Sequence, residues 1–112
     1  MNICFYDNRE ITPDENGNVS IDRVYCLEFH DFKDVTWQHL GEVYRSLPQY
    51  IVKDNACPMW YGEEEGSAVY LYASVEPSGL QIVGDLSAEQ WEMWERMFHR
   101  QLSRYDFPSF EC

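Results

Sequence analysis

The stretch Val69-Tyr70-Leu71-Tyr72-Ala73-Ser74-Val75-Glu76-Pro77-Ser78-Gly79-Leu80-Gln81-Ile82-Val83 decides the fold. Val69, Leu71, Ala73 and Val75 alternate with Tyr70, Tyr72, Ser74 and Glu76, the two-residue period of a strand with one buried face. Glu76-Pro77-Ser78-Gly79 then turns the chain, because proline presets φ for a type I turn and glycine supplies the left-handed residue that follows. Residues 80–83 return as the antiparallel partner. A hairpin with one apolar face needs a cover, and the flanking sequence supplies it.

Downstream, Ser87-Ala88-Glu89-Gln90 reads as a capping box, with Ser87 at the N-cap and Gln90 reaching back to it. Trp91, Trp94, Phe98, Leu102 and Tyr105 follow at steps of three and four, the apolar stripe of an amphipathic helix. Glu89, Glu92 and Glu95 occupy its first half and Arg96, Arg100 and Arg104 its second, an order that complements the helix dipole.

Upstream, residues 34–47 carry Trp37, Leu40, Val43, Tyr44 and Leu47 at helical spacing. Asp34 or Thr36 caps this helix, and Pro48 ends it. From 49 to 66 the period is lost, and the segment reads as a long surface loop. Near the N-terminus, Met1, Ile3 and Phe5, and then Val19, Ile21, Tyr25, Leu27 and Phe29, alternate as two strands, the second interrupted only by Arg23. Asn16-Gly17 between them suits a type I′ hairpin turn. The expectation is one α+β domain of order β-β-α-β-β-α, an antiparallel sheet of about four strands with both amphipathic helices on one face. Its core is expected to combine Leu71, Ala73 and Val75 with Trp37, Leu40, Tyr44, Trp94 and Phe98. Parallel pairing across the first helix stays open.

Composition narrows the function. The 112 residues include 20 acidic and 8 basic side chains, a formal net charge of −12. That balance argues against direct contact with nucleic acid or an anionic membrane, both of which reward Lys and Arg. With 45% hydrophobic and 16% aromatic residues the chain has the means to bury a core, and no apolar run is long enough for a membrane span. No secretory leader is visible, so the expected compartment is the cytoplasm. Cys4, Cys26, Cys57 and Cys112 form no CxxC pair, so neither a zinc site nor a disulfide framework is expected.

No phosphate-cradling glycine loop, nucleophile elbow or HExxH motif is present. Cys26 and His30 share a strand face but stand four residues apart, roughly 13 Å on an extended strand, too far for a nucleophile–base bond. The expectation is a protein that is not an enzyme and needs no cofactor or metal. The combination that stands out is Trp60-Tyr61 beside Glu63-Glu64-Glu65, rigid aromatic anchors next to steering charge. These five residues, with Asp31 and Asp34 at the start of the first helix, are the expected contact surface for a basic protein partner. Trp60 and Tyr61 fit equally well as a lid on the core, with the glutamates as solvated charge.

Residues 73–84, Ala-Ser-Val-Glu-Pro-Ser-Gly-Leu-Gln-Ile-Val-Gly, followed by Leu86-Ser87-Ala88-Glu89-Gln90-Trp91, resemble the C-terminal half of small acidic bacterial immunity proteins. Those proteins protect a cell from its own secreted or contact-dependent polymorphic toxins. The resemblance implies an immunity or inhibitor protein that binds and neutralises a toxin domain of basic surface, often a nuclease. It implies no role for any particular residue. Two other readings stay open, a phage-encoded inhibitor that mimics nucleic-acid charge and a small enzyme whose carboxylates hold a divalent metal.

Overall fold

The hairpin forms where its alternation places it. In the computed structural model, which describes residues 3–54, 56–63 and 66–111, β5 (Tyr70–Glu76) and β6 (Gly79–Ser87) pair antiparallel from Tyr70↔Asp85 to Glu76↔Gly79. Gly79 adopts φ +135°, and a side chain there would collide with the carbonyl oxygen of Tyr25, so glycine answers both the turn and the close approach. Before the hairpin come β1 (Phe5–Asp7), β2 (Asn18–Tyr25), a 3-10 turn (Phe29–Asp31), α1 (Asp34–Ser46), β3 (Tyr50–Ile51) and β4 (Met59–Trp60); α2 (Ala88–Leu102) follows it.

All pairings are antiparallel, and the order across the sheet is β1-β2-β6-β5-β4-β3. Among the described residues the sheet has six strands, which corrects the expectation of about four. The two additions, β3 and β4, are two residues each and come from the segment read as an aperiodic loop. A two-residue strand has no period to detect; β4 exists because Met59 and Trp60 pair with Tyr72 and Leu71. The longest pairing joins β2 to β6, from Asn18↔Ser87 to Tyr25↔Leu80.

Two local expectations at the N-terminal end change. The connection from β1 to β2 is no tight type I′ turn. The Asp14 carbonyl accepts from the Gly17 N–H (3.0 Å), and only Gly17, not Asn16, has positive φ. The Asp14 carboxylate accepts the amides of Asn16 and Asn18, which stabilises this wider loop. β1 begins at Phe5 and is exposed throughout, and Met1 lies outside the described residues. Beyond Tyr25 the strand stops, Leu27 makes only an isolated bridge to Ser109, and Phe29 opens the 3-10 turn.

Both helices cover the sheet face that carries Val19, Ile21, Leu71, Ala73, Ile82 and Leu86, with Leu40, Val43 and Tyr44 from α1 and Trp91, Trp94, Phe98 and Leu102 from α2. The capping box of α2 forms as read, Ser87 Oγ accepting from Gln90 N–H (3.1 Å) and Gln90 Oε1 from Ser87 N–H (3.0 Å). In α1 the N-cap is Lys33, and Thr36 caps from inside the helix by accepting the Lys33 N–H (3.1 Å). Two expected core residues are not in the core. Val75, next to the β5–β6 turn, is 51% exposed, and Trp37, in the first turn of α1, is 40% exposed. Cys26, fully buried, is disulfide-bonded, against the expectation of reduced strand cysteines; Cys4 and Cys57 are free and exposed.

Candidate partner-binding surface

The chain passes from β2 through the 3-10 turn into α1, and that corner gathers several aromatic rings. Glu28 caps the 3-10 turn, its carboxylate accepting the His30 N–H (3.2 Å), and Phe32 N–H closes on the Phe29 carbonyl (3.1 Å). This geometry lays two rings against the first turn of α1. Phe29 stacks on Trp37 at 5.3 Å and 11°, and Phe32 meets Trp37 at 4.8 Å and 59°. Phe32 also touches Phe107 of the C-terminal segment. Such ring contacts are worth roughly 0.5–1.5 kcal/mol each beyond their burial, so the exposed indole is held rigid.

Acids surround it. Asp31 ends the 3-10 turn and Asp34 opens α1; both are exposed, and Asp34 complements the helix dipole. Among the described residues, neither carboxylate has a hydrogen-bond or ion-pair partner. Carboxylates on the uncovered sheet face are by contrast engaged. Asp22 accepts from Asn8 (3.0 Å) and Gln81 (2.8 Å), which hold it below the usual carboxylate range, and Asp85 accepts from Ser20 (2.7 Å). Beside the corner runs an open groove of about 330 Å³, lined by residues 27–30 on one side and 75–77 on the other. Phe29 belongs to both the groove and the stack on Trp37, so the two form one continuous surface.

The loop expected to bind is split by the structure. Trp60 is 0% exposed; its indole N–H donates to the Tyr44 carbonyl (3.0 Å), and its ring packs against Tyr44, Tyr50 and Trp94. It is a core residue and offers a partner nothing, a correction caused by the pairing of β4 onto β5. Tyr61 is half-buried at φ +72°, its N–H donates to the Gln49 carbonyl (3.0 Å), and burial pushes its hydroxyl above the ordinary value. Glu63 is exposed and paired with Lys53 (3.0 Å). Glu64 and Glu65 lie outside the described residues. Of the expected site, Asp31 and Asp34 therefore share a corner with one exposed aromatic, Trp37, while Trp60 of the loop turns inward. Sequence reasoning missed Trp37 as an exposed residue and the half-buried Phe29 and Phe32 as the rings that support it. Trp37 lies three residues before Leu40 on the same helix face, and nothing local distinguishes its exposure from the burial of Leu40.

A second polar cluster is internal. Arg23, the interruption in the β2 alternation, is 5% exposed. Its guanidinium donates to Asp7 (2.7 Å), to Glu95 and to the Tyr25 hydroxyl (3.1 Å), and lies 4.0 Å from the Phe5 ring centre and 5.0 Å from that of Trp91. Burial opposes its charge, but Asp7, Tyr25 and Glu95 more than offset that and raise its affinity for the proton. The Tyr25 oxygen accepts from Arg23 and lies 2.8 Å from His99 Nε2, which accepts the hydroxyl proton when the ring is neutral with its hydrogen on Nδ1. These charges are matched within the fold and tie β1, β2 and α2 together. Among the described residues, no group of three or more His, Cys, Asp or Glu is arranged to hold a metal ion, and no helix is long and apolar enough to cross a membrane.

No protein-family model, curated protein or solved structure matches this chain.

Proposed function

We propose that this chain is an immunity or inhibitor protein that works in the bacterial cytoplasm by binding a toxin domain of basic surface, with a nuclease as the best-suited target class. The observation that carries the reading is the corner of Trp37, Asp31 and Asp34. A rigid, exposed indole with unpaired carboxylates beside it has the composition of an interface hot spot, aromatic anchor and steering charge together. The net charge of −12 extends that steering over the whole molecule and favours fast encounter with a cationic surface. Nucleases present such surfaces because they hold phosphate. In this reading the protein carries no catalytic residues and no cofactor.

The test is co-expression with the protein encoded immediately next to this chain, followed by binding of the two purified proteins. Rescue of growth, and an association rate that falls steeply with salt, are expected. Growth arrest that this chain does not relieve, together with no complex at low salt, overturns the proposal. The variant Asp31→Asn/Asp34→Asn should bind more slowly with a flatter salt dependence.

A further inference from the structure

We infer that the groove between the 3-10 turn and the β5–β6 turn receives a single arginine side chain projecting from a basic protein partner. The inference rests on the proposal that the chain binds such a partner and names what its surface must bring.

The groove is lined by apolar side chains, by the two acids Glu28 and Glu76, and by His30. Phe29 lines one side; Val75, 51% exposed, and the exposed Pro77 line the other. An exposed valine at the end of a strand whose other inward residues are buried is surface left uncovered by the described residues. Glu28 and Glu76 stand on opposite sides. Each carboxylate is already oriented by one local hydrogen bond, Glu28 from the His30 N–H (3.2 Å) and Glu76 from the Ser74 hydroxyl (2.6 Å). A carboxylate has about four acceptor positions, so each keeps capacity for a cation without first having to be ordered.

Charge complementarity selects the occupant. Two half-buried acids flanking an apolar slot in a chain of net charge −12 disfavour an anion and a second copy of this chain alike. Between the two basic side chains, arginine fits better. Its planar fork can address both carboxylates while one face lies on the Phe29 ring, whereas lysine offers a compact point charge. Phe29 in turn is backed by Trp37 at 5.3 Å, so the surface that receives the guanidinium is itself held in place.

The probe is the blocked tripeptide acetyl-Gly-Arg-Gly-amide, titrated into the intact chain while backbone amide shifts are followed by NMR, with the citrulline and lysine tripeptides in parallel. Saturable shifts confined to residues 27–30, 75–77 and the Trp37 indole are expected, with millimolar affinity for arginine, severalfold weaker binding of lysine and none of citrulline. Glu28→Gln/Glu76→Gln should abolish the shifts without altering the spectrum elsewhere, and Val75→Arg should occlude the groove. Equal shifts with citrulline, shifts scattered over the acidic surface, or a concentration-dependent dimer closing the groove would each overturn the inference. Arginine binding in a chain that protects against no toxin would leave the groove standing and remove the proposed function. Toxin neutralisation unaffected by Val75→Arg would do the reverse.

Discussion

The indole of Trp60 stands edge-on to that of Trp94, with ring centres 5.1 Å apart at 71°, and the two differ in one respect. Trp60 donates its N–H to the Tyr44 carbonyl, while the buried Trp94 N–H finds no acceptor among the described residues. Replacing either by Phe removes comparable volume. At 60 it also removes a buried hydrogen bond, and at 94 it removes an unpaired donor. Trp60→Phe should therefore destabilise by about 1–2 kcal/mol more than Trp94→Phe, read from urea denaturation at equal m-value. Equal losses would show that a buried water serves the Trp94 N–H.

Arg23 binds β1 and α2 to β2, so its loss should be felt in both. Asp7 and Glu95 keep 31% and 30% of their side-chain exposure and can recover water when abandoned. Arg23→Met should then cost about 2–3 kcal/mol, less than the 3–5 expected for a fully buried pair. Chemical denaturation measures it. A loss under about 0.5 kcal/mol would place Arg23 among ordinary surface substitutions.

The pH dependence has a definite sign. Burial holds His99 below the ordinary imidazole value, with Glu95 opposing and Arg23 assisting, and the neutral ring is the form that accepts from Tyr25. The unfolded chain takes up the proton first, so stability present above about pH 6.5 declines as pH falls through that value toward the lower folded one. His99→Gln, which keeps an acceptor for Tyr25, should flatten the stability profile between about pH 7 and 5. Asp22, held low by Asn8 and Gln81, contributes stability that is lost only further down, below its unfolded value of about 3.9. An unchanged profile in His99→Gln would assign the acid sensitivity elsewhere.

Trp37 and Phe98 are both aromatic members of helical stripes, yet they should respond oppositely. Phe98 is fully buried, and Phe98→Ala should cost about 3–5 kcal/mol of stability. Trp37→Ala removes a ring that is 40% exposed and should cost less than about 2 kcal/mol. Its effect belongs to binding, where loss of a central aromatic anchor typically costs 2 kcal/mol or more, above tenfold in affinity. Calorimetry on the variant and its complex with the partner separates the two quantities.

The hairpin, the boxed start of α2 and the Trp94–Phe98 stripe were legible because each is encoded within a few residues. Alternation, a Pro-Ser-Gly turn and a Ser-x-x-Gln cap act through local sterics and hydrogen bonds, whatever surrounds them. Net charge is likewise independent of folding, and so the expectation of a basic partner stands on the sequence alone. Burial is not local. Whether Trp60 anchors a partner or fills the core turns on β4 pairing with a strand eleven residues later in the register Trp60↔Leu71, and two residues carry no period that announces it. Whether Trp37 faces sheet or solvent depends on where α1 stops overlying the sheet, although its helical phase matches that of Leu40. Arg23, read as a break in alternation, finds its partners 16 and 72 positions away. The proposed binding corner is thus a product of tertiary placement: acids visible in the sequence acquire aromatic neighbours only when the chain turns from β2 into α1.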